Sequence, residues 1–286
     1  MFKPFLKCAG GKSQLLKTIL PLVPEFDRYI EPFVGGGALL FALQPTKAII
    51  NDACEETSLC YVAIRDCVDD LIRKLKNAED LHSEDFYYLV RFEDRRDEYK
   101  NLDVLKKVSR WMYLNKTCYN GLMRKNKSNQ LNIPMGDYKN PKILDEKLLR
   151  NVNNYLGDNN IQIFNEDFEV ILEKCKEGDF VYLDPPYYPI SETSSFTAYT
   201  KQDYTKEDQI RLKKTVDKLT KKGIKCLISN SYCSFILDLW KDYEIAFVDA
   251  KRNIAANVES RKEIKEVLIK NYWYPFLKGY LFLSFL

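Results

Sequence analysis

The stretch that decides the fold of this chain is Arg28-Tyr29-Ile30-Glu31-Pro32-Phe33-Val34-Gly35-Gly36-Gly37. Its apolar first part predicts a strand over 28–34, and the run over 38–43 after the glycines predicts a helix. A strand, a glycine turn and a helix in this order form the first unit of a doubly wound α/β sheet, which binds its ligand at the carboxyl edge of the strands. The glycines let the backbone approach such a ligand closely.

Further predicted strands on both sides of a long helical region complete this α/β pattern. A second strand over 47–50 ends at Asn51-Asp52, and an acid in that position is where ribose hydroxyls are usually bound. The remaining strands are predicted at 161–164, 180–183, 224–228, 245–248 and 266–269, with a helix near 206–222. The predicted fold class is therefore α/β with a Rossmann-like sheet.

The tetrapeptide Asp184-Pro185-Pro186-Tyr187 directly follows one of these strands. Consecutive prolines fix φ and lack N–H donors, so the turn is stiff and presents its carbonyl oxygens as acceptors. The Asp184 carboxylate adds a side-chain acceptor, and Tyr187 adds a flat ring. Two acceptors beside a stacking surface suit an aromatic amine held against the tyrosine. The competing interpretation is an ordinary proline turn that begins with aspartate.

The chemistry that such a site favours is alkylation of an aromatic amino group. The exocyclic nitrogen of a nucleobase is a poor nucleophile because its lone pair is delocalised into the ring. If Asp184 and the Pro185 carbonyl accept its N–H bonds, the nitrogen can pyramidalise and direct its lone pair at an electrophile. These residues would then orient the nitrogen and stabilise a developing charge, rather than remove a proton beforehand.

Positive charge is concentrated in the middle of the chain. Residues 55–112 are predicted to be helical, and 113–141 are predicted to form a basic hairpin or loop with a turn at Tyr119-Asn120-Gly121. From Lys106 to Lys142 there are nine lysines and arginines and one acid, so this segment carries +8 and the rest of the chain −5 of the total +3. Such a concentration indicates binding to a phosphate backbone.

Several other functions find little support in the sequence. The eight cysteines include no Cys-x-x-Cys pair, and His82, which we expect to be exposed and without a role, is the single histidine; no metal site is therefore expected. Gly11-Lys12-Ser13 resembles part of a P-loop, but Leu6 stands where the first glycine should be. The absence of a signal-like or membrane-spanning apolar run predicts a cytoplasmic protein with reduced thiols and no membrane contact.

In their order, these motifs resemble the Dam-type DNA adenine-N6 methyltransferases, in which the glycine motif precedes the recognition segment and the catalytic motif. The resemblance covers almost the whole chain. It is carried by Phe5-Leu6-Lys7-Cys8-Ala9-Gly10-Gly11-Lys12, Glu31-Pro32-Phe33-Val34-Gly35-Gly36-Gly37, Leu114-Asn115-Lys116-Thr117-Cys118-Tyr119-Asn120-Gly121-Leu122, Asp184-Pro185-Pro186-Tyr187, Phe196-Thr197-Ala198-Tyr199 and Ile228-Ser229-Asn230. It implies the mixed Rossmann-like sheet of S-adenosylmethionine-dependent methyltransferases. Residues 1–54 and 150–286 would form the catalytic domain, and 55–149 an inserted helical and β-hairpin DNA-recognition domain.

The resemblance also implies the methyl donor, S-adenosylmethionine, and the residues that serve it. The catalytic residues would be Asp184, Pro185, Pro186 and Tyr187. The donor site would be lined by Cys8, Ala9, Gly10, Lys12, Phe33, Gly35, Gly37, Asp52, Asp167 and Asp184, with Asp167 near the adenine ring of the donor. The family usually has tryptophan where this chain has Cys8, so that contact should be weaker or packed differently.

The expected substrate is double-stranded DNA with the site GATC. The target adenine would leave the duplex and stack on Tyr187, because its amino group cannot be reached inside the helix. By the resemblance, the DNA-binding residues are Lys7, Tyr119, Asn120, Leu122, Arg124, Pro134 and Tyr138. Tyr119 would wedge beside the flipped base, Asn120 would probe the vacated position, and Arg124 would read a guanine edge with its bidentate fork. Lys125 and Lys127 would meet phosphates.

Alternatives to this activity remain open at the level of sequence. They are methyl transfer to cytosine N4, methyl transfer to adenine N6 in RNA, and a non-catalytic DNA-binding protein on a decayed methyltransferase scaffold. A protein that only binds DNA needs neither an intact Asp184–Tyr187 motif nor a glycine turn, and the presence of both argues against the non-catalytic alternative. A monomer is the default expectation, and a cognate restriction endonuclease is a partner to be considered.

Overall fold

A computed structural model describes residues 2–8, 10–189, 204–250 and 264–273. One sheet lies at its centre. Its strands are β1 Arg28–Glu31, β2 Lys47–Asn51, β3 Asn160–Phe164, β4 Asp179–Leu183, β5 Lys225–Ser231, β6 Glu244–Ala250 and β7 Ile264–Lys270. Their order in the sheet is β3-β2-β1-β4-β5-β7-β6. The first five strands in this order are parallel, and β7 is antiparallel to both of its neighbours, β5 and β6. The predicted α/β class and the mixed Rossmann-like sheet are confirmed.

Helices cover both faces of this sheet. They are α1 Leu16–Ile19, α2 Ala38–Leu43, α3 Glu55–Asp66, α4 Val68–Asp80, α5 Glu84–Phe92, α6 Val104–Thr117, α7 Glu146–Asp158, α8 Phe168–Glu173, α9 Lys206–Lys221 and α10 Ser234–Leu239. The predicted helix near 206–222 corresponds to α9. Within the described ranges, none of the helices combines the length and the apolar character needed to cross a membrane.

Alternating side chains of the central strands fill two hydrophobic cores. In β4, Phe180 and Tyr182 belong to one core, while Val181 and Leu183 belong to the other. Helices α2, α3, α6 and α7 contribute to the first core, and α8, α9 and α10 contribute to the second. Parallel strands that are buried on both faces have continuous apolar sequences, which is why these strands could be predicted from short apolar runs.

The chain reverses its direction across the sheet between β1 and β4, at the sheet centre. From β1 it proceeds outward to β2 and β3, and then returns to β4 and continues to β5 on the other side. The register places Tyr29 between Ala48 and Phe180. A doubly wound sheet binds ligands beyond the carboxyl ends of its strands at such a point. The glycine turn after β1 and the proline turn after β4 therefore begin at adjacent strand ends.

The region between β2 and α7 holds a helical layer and a long irregular segment. Helices α3 to α6 occupy most of 55–117, close to the predicted 55–112, and α3 contacts α6, α7 and β3. After α6 the backbone forms two isolated antiparallel bridges, Cys118–Met135 and Lys125–Leu131. These bridges give the segment the hairpin-like path that its composition predicts.

The main differences from the prediction are three boundaries and one environment. β1 ends at Glu31 and not at Val34, because Pro32 has no N–H with which to continue a ladder. α6 continues beyond 112, and β5 continues beyond 228 because β7 pairs with its last residues. The prediction of an exposed His82 is wrong: this side chain is half-buried, and its Nδ1 lies 2.8 Å from the Tyr113 hydroxyl.

A buried ion pair joins the two central strands. The Arg28 guanidinium donates from Nε and Nη2 to the two carboxylate oxygens of Asp179, at 3.0 and 2.7 Å. The Asp179 side chain is fully buried, and that of Arg28 is 19% exposed. The two residues are also register partners in the β1–β4 ladder. The pair therefore supports the alignment of the strands that carry the two turns.

We predict that Arg28→Met lowers the free energy of unfolding by about 3 kcal/mol, because it leaves the buried Asp179 carboxylate without its cation. Arg65→Met is the matched control, since Arg65 makes the same bidentate contact with Asp66 at the surface. Arg65→Met should lower the free energy of unfolding by less than about 1 kcal/mol. Urea denaturation gives both values, and equal costs for the two variants would contradict this account.

Candidate active site

Asp184 follows β4, and one of its carboxylate oxygens is held from two sides. The Lys12 ammonium lies 2.8 Å from Oδ1, and the Ser229 hydroxyl donates to the same oxygen at 2.6 Å. Lys12 is itself buried and also donates to the Gly10 carbonyl at 2.6 Å. Among the residues that the structure describes, none donates a hydrogen bond to Oδ2 of Asp184. One oxygen is thus anchored, and the other can accept from a substrate.

The Tyr187 ring lies beside the same lysine. Its hydroxyl donates to Oε2 of Glu266 at 2.7 Å, and the Lys12 ammonium lies 4.6 Å from the ring centroid. Burial, together with the negative charges of Asp184 and Glu266, raises the pKa of Tyr187 well above its ordinary value. The phenol therefore stays protonated at neutral pH, and its hydrogen bond to Glu266 fixes the position of the ring.

Side chains of α9 and β5 hold the proline turn between these two residues. Gln209 donates from Nε2 to the Pro186 carbonyl at 2.9 Å. Asn230 donates to Oε1 of the same glutamine at 3.0 Å. Pro185 is buried, whereas Pro186 is exposed. The four residues of the predicted catalytic motif thus lie together in one hydrogen-bonded turn at the sheet edge.

The glycine turn after β1 has a conformation that requires glycine. Gly35 and Gly37 have φ values of 47° and 70°, a region that residues with a Cβ rarely adopt. A Cβ on Gly37 would come within 2.6 Å of the Tyr61 hydroxyl. That hydroxyl donates to the Gly35 carbonyl at 3.0 Å, so a side chain of α3 stabilises the turn.

Asp52, directly after β2, is bonded to this turn. Its Oδ2 accepts from the Gly35 N–H at 2.9 Å, and its Oδ1 accepts from the Cys54 N–H at 2.8 Å. Burial raises the pKa of Asp52 to about 6, although these two hydrogen bonds act to lower it. The structure therefore brings the acid after the second strand together with the glycine turn, as the sequence pattern predicts.

The N-terminal segment packs against the other side of the glycine turn. A Cβ on Gly35 would lie 3.6 Å from the Cys8 sulfur, so the cysteine side chain is adjacent to the turn. Burial, with the charges of Asp52 and Asp184, raises the pKa of the Cys8 thiol to about 12, and the thiol is protonated at neutral pH. Ala9 lies outside the described residues, and so does the segment 196–199.

Phe33 and Asp167 lie farther along the same edge, near the end of β3. The Phe33 ring centroid is 5.5 Å from that of Phe168 and 5.9 Å from that of Tyr204. Asp167 is exposed, and its two carboxylate oxygens each accept from the Arg211 guanidinium at 2.9 Å. Arg211 balances the negative charge of Asp167, and the sequence pattern did not predict this ion pair.

A further buried carboxyl group at this edge was also missed. Glu31 ends β1 and is 3% exposed, and its Oε2 has no hydrogen-bond partner in the described part of the chain. Burial raises the pKa of Glu31 well above its ordinary value. A buried acid with an unpaired oxygen is typical of a ligand site. The signal was present in the sequence, as an acid that closes an apolar strand four residues before the first glycine of the turn.

Lys7 and Tyr138, both predicted to bind DNA, lie in contact. The Lys7 ammonium is 4.2 Å from the centroid of the Tyr138 ring and donates to the Lys116 carbonyl at 3.0 Å. The backbone N–H and carbonyl of Lys7 are both bonded to the Asn115 side chain, at 2.8 Å each. These bonds attach the N-terminal segment to the end of α6, close to the predicted recognition turn.

The other predicted DNA-binding residues follow α6 on the same surface. The Tyr119 N–H donates to the Pro134 carbonyl at 3.0 Å, and the Leu122 N–H donates to the Tyr119 carbonyl at 3.1 Å. Asn120 has a φ of 53°, a conformation that asparagine tolerates better than most residues. Tyr119, Asn120, Arg124 and Pro134 are all exposed. Hydrogen bonds thus hold the segment around Tyr119 against Pro134, and Lys7 contacts Tyr138. The predicted DNA-binding residues therefore lie close together.

Not all of the positive charge of this region faces solvent. The Lys125 side chain is 11% exposed, and its ammonium lies 2.7 Å from Oε1 of Glu56. Arg110 is buried in an ion pair with Asp94. The prediction of a surface lysine at 125 is therefore wrong, whereas Lys127 is exposed as predicted. In the described ranges, no group of three or more His, Cys, Asp and Glu side chains is arranged to hold a metal ion.

Comparisons with known proteins identify the class to which this fold and site belong. The sequence model of the D12 class of N6 adenine-specific DNA methyltransferases matches residues 9–254. The type II methyltransferase M.MjaIII of Methanocaldococcus jannaschii is 46% identical over 94% of this chain and 99% of its own length. The type II methyltransferase M1.LlaDCHI of Lactococcus lactis subsp. cremoris is 42% identical, over 94% and 95% respectively. The DNA adenine methylase of Serratia marcescens is 30% identical, over 93% and 97%.

This chain belongs to the D12 class of N6 adenine-specific DNA methyltransferases. It is an enzyme that methylates adenine N6 in DNA, which confirms the family and the activity predicted from the motifs. Membership decides against cytosine N4 and RNA as targets, and against a protein that only binds DNA. The mostly parallel sheet agrees with the fold of this enzyme class.

Proposed function

We propose that this enzyme transfers the methyl group of S-adenosylmethionine to N6 of an adenine that has been flipped out of duplex DNA at the sequence GATC. The observation that carries the proposal is the anchored carboxylate of Asp184. Lys12 and Ser229 both bind its Oδ1, while Tyr187 lies beside it and the glycine turn begins at the adjacent strand end. This combination serves an amine acceptor and a nucleoside donor at one sheet edge.

The residues around the glycine turn fit the proposed donor. The Asp52 oxygens accept one N–H each, and a carboxylate oxygen has further lone pairs with which to bind ribose hydroxyls. Gly35 and Gly37 let the backbone approach closely. The unpaired oxygen of Glu31 is a candidate partner for the donor's ammonium group. S-adenosylmethionine supplies an electrophilic methyl carbon bound to a cationic sulfur.

Asp184 and Pro185 are proposed to orient the adenine amino group. Oδ2 of Asp184 would accept one N–H bond, and the Pro185 carbonyl would accept the other. These bonds favour a pyramidal nitrogen with its lone pair directed at the methyl carbon. As the new N–C bond forms, the bond between that carbon and the donor's sulfur would break with its electron pair left on sulfur, and the carboxylate would meet the positive charge that develops on nitrogen. The surplus amino proton then passes along its hydrogen bond to Asp184.

Tyr187 is proposed to stack on the flipped adenine. Its hydroxyl is tied to Glu266, so the plane of the ring is set before the base arrives. Lys12 covers one face of the ring; the base therefore uses the opposite face or displaces the ammonium. Flipping is required because N6 of a paired adenine cannot reach an enclosed site.

The exposed surface formed by Lys7 and residues 119–138 is proposed to read the DNA sequence. The space at the extruded base would be occupied by Tyr119 and Asn120. Apolar or positioning contacts would come from Leu122, Pro134 and Tyr138. Arg124 would read guanine. Residues 55–149 would then act as the recognition domain, inserted into a catalytic domain of 1–54 and 150–286. GATC is the site that the family resemblance favours, and methylation-sensitive mapping of genomic DNA from expressing cells tests it directly.

We also propose a cellular setting. Two relatives that match over nearly the whole chain are named type II methyltransferases, which supports a role in restriction–modification with a cognate endonuclease. The enzyme would act in the cytoplasm as a monomer. Sedimentation of the enzyme alone and with a GATC duplex tests the monomer.

We predict that Asp184→Ala abolishes methyl transfer but changes DNA affinity less than about threefold, because Asp184 acts on the reacting nitrogen and not on the phosphate backbone. Incorporation of labelled methyl groups into a GATC duplex and fluorescence anisotropy measure the two effects. Asp242→Ala is the control, since Asp242 is an exposed acid before β6 at the opposite sheet edge. A fully active Asp184→Ala enzyme refutes the mechanism.

We predict that Arg124→Ala relaxes discrimination against a duplex with a substituted guanine by about 1–3 kcal/mol. Arg124→Lys is the matched variant, because it keeps the charge but lacks the fork that binds guanine O6 and N7. It should restore overall DNA affinity without restoring discrimination. The measurement is the ratio of kcat/KM on the two duplexes. An unchanged ratio in Arg124→Ala would show that another residue reads the guanine.

We predict that donor binding weakens in acid, because ribose hydroxyls need the ionised form of Asp52 and its pKa is raised to about 6. Calorimetry should give a donor Kd about tenfold higher at pH 5 than at pH 7, with little change from pH 7 to pH 8. Asp52→Asn should bind weakly at every pH and lack this slope. A slope that persists in Asp52→Asn would assign the titration to another group.

A further inference from the structure

Lys125 directly follows the proposed guanine reader, Arg124, and its side chain turns inward. Its ammonium donates to Oε1 of Glu56 at 2.7 Å and lies 5.4 Å from the centroid of the Trp111 ring. Arg124 is exposed. Successive side chains of extended backbone point to opposite sides, so an anchored, inward lysine holds the neighbouring arginine toward solvent.

Glu56, the partner of this lysine, is itself anchored at the donor edge of the sheet. Its Oε2 accepts from the Cys54 thiol at 3.3 Å. The Cys54 N–H donates to Asp52, which also accepts from Gly35. Burial acts to raise the pKa of Glu56, but the Lys125 ammonium outweighs it and the pKa lies below the ordinary value. Contacts therefore run without interruption from the reader loop to the glycine turn.

The opposite side of the reader loop is held as well. Leu131 forms the isolated bridge with Lys125. Its N–H donates to Oδ2 of Asp94 at 2.7 Å, and its carbonyl accepts from Arg95 at 2.8 Å. The backbone beside Arg124 is thus fixed from two directions, and the exposed guanidinium itself donates from Nη2 to the Asn132 carbonyl of the same loop at 3.1 Å.

We propose that Glu56 and Lys125 form a positioning pair, which holds Arg124 in the orientation that guanine recognition requires. The inference rests on the proposed role of Arg124 as the reader. Removal of either partner leaves a charge in a poorly solvated place without its counter-ion, so the loop must rearrange. Lys125 makes no phosphate contact, because its charge is already matched inside the protein.

The test compares Lys125→Gln, Glu56→Gln and the double variant on a GATC duplex and on a duplex with a substituted guanine. Each single variant should lower the ratio of kcat/KM on the two duplexes about tenfold. The double variant should lower it no further, because the two residues act as a unit. The charge-reversed variant Glu56→Lys/Lys125→Glu should recover part of the ratio. Maximal turnover on the cognate duplex should change less than about twofold.

Lys127→Gln and Glu55→Gln are the matched controls, since both residues are exposed neighbours of the pair. Lys127→Gln should weaken binding to all duplexes alike and reduce the salt dependence of log Kd by about one unit of slope. Lys125→Gln should leave that slope unchanged. Glu55→Gln should have no effect on either quantity.

Two results overturn the inference while leaving the proposed function intact. If Lys125→Gln behaves like Lys127→Gln, the lysine is a phosphate contact. If the pair variants melt at lower temperature but discriminate as well as the wild type, the pair is merely structural. Arg124→Ala distinguishes the positioning role of the pair from the reading role of Arg124. If discrimination is relaxed in Arg124→Ala but normal in the pair variants, only the positioning role is refuted. If discrimination is normal in Arg124→Ala, both roles are refuted.

Discussion

The ion pair between Lys12 and Asp184 is the interaction on which the rest of the site depends. A buried ammonium requires a counter-ion, and Asp184 provides it while the Ser229 hydroxyl binds the same oxygen. Three distant parts of the chain therefore meet at one atom. Because Lys12 ends the segment that carries Lys7 and Cys8, the pair also attaches a predicted DNA contact and a predicted donor contact to the catalytic strand.

The helical region between β2 and α7 uses much of its charge for ion pairs inside the protein. Arg110 is buried against Asp94, and Lys125 is paired with Glu56. A charge that is matched inside the protein contributes little to the potential that a DNA backbone meets, since the field of the pair falls off rapidly with distance. The surface proposed to face DNA keeps exposed cations, such as Arg124 and Lys127, on a loop with well-supported backbone.

Much of the fold and part of the site could be predicted because the relevant signals are local. Apolar runs indicated every strand that the structure describes, and the motifs after β1, β2 and β4 had to meet because parallel strands end at one edge. Glu266 could not be predicted in the same way. It reaches Tyr187 on an antiparallel strand whose pairing with β5 no local pattern specifies. The environment of His82 was predicted wrongly for a similar reason, since its partner Tyr113 lies on α6, far along the chain.

The sequence by itself determined the α/β class, the order of the strands along the chain, the stiff proline turn and the glycine positions, because all of these follow from backbone preferences and apolar periodicity. Tertiary structure alone decided which polar side chains pair with each other. It anchored one oxygen of Asp184, left an oxygen of Glu31 unpaired and turned Lys125 inward. The physical reason is that ion pairing and burial depend on distances of a few ångströms between residues far apart in the chain, which no local pattern encodes.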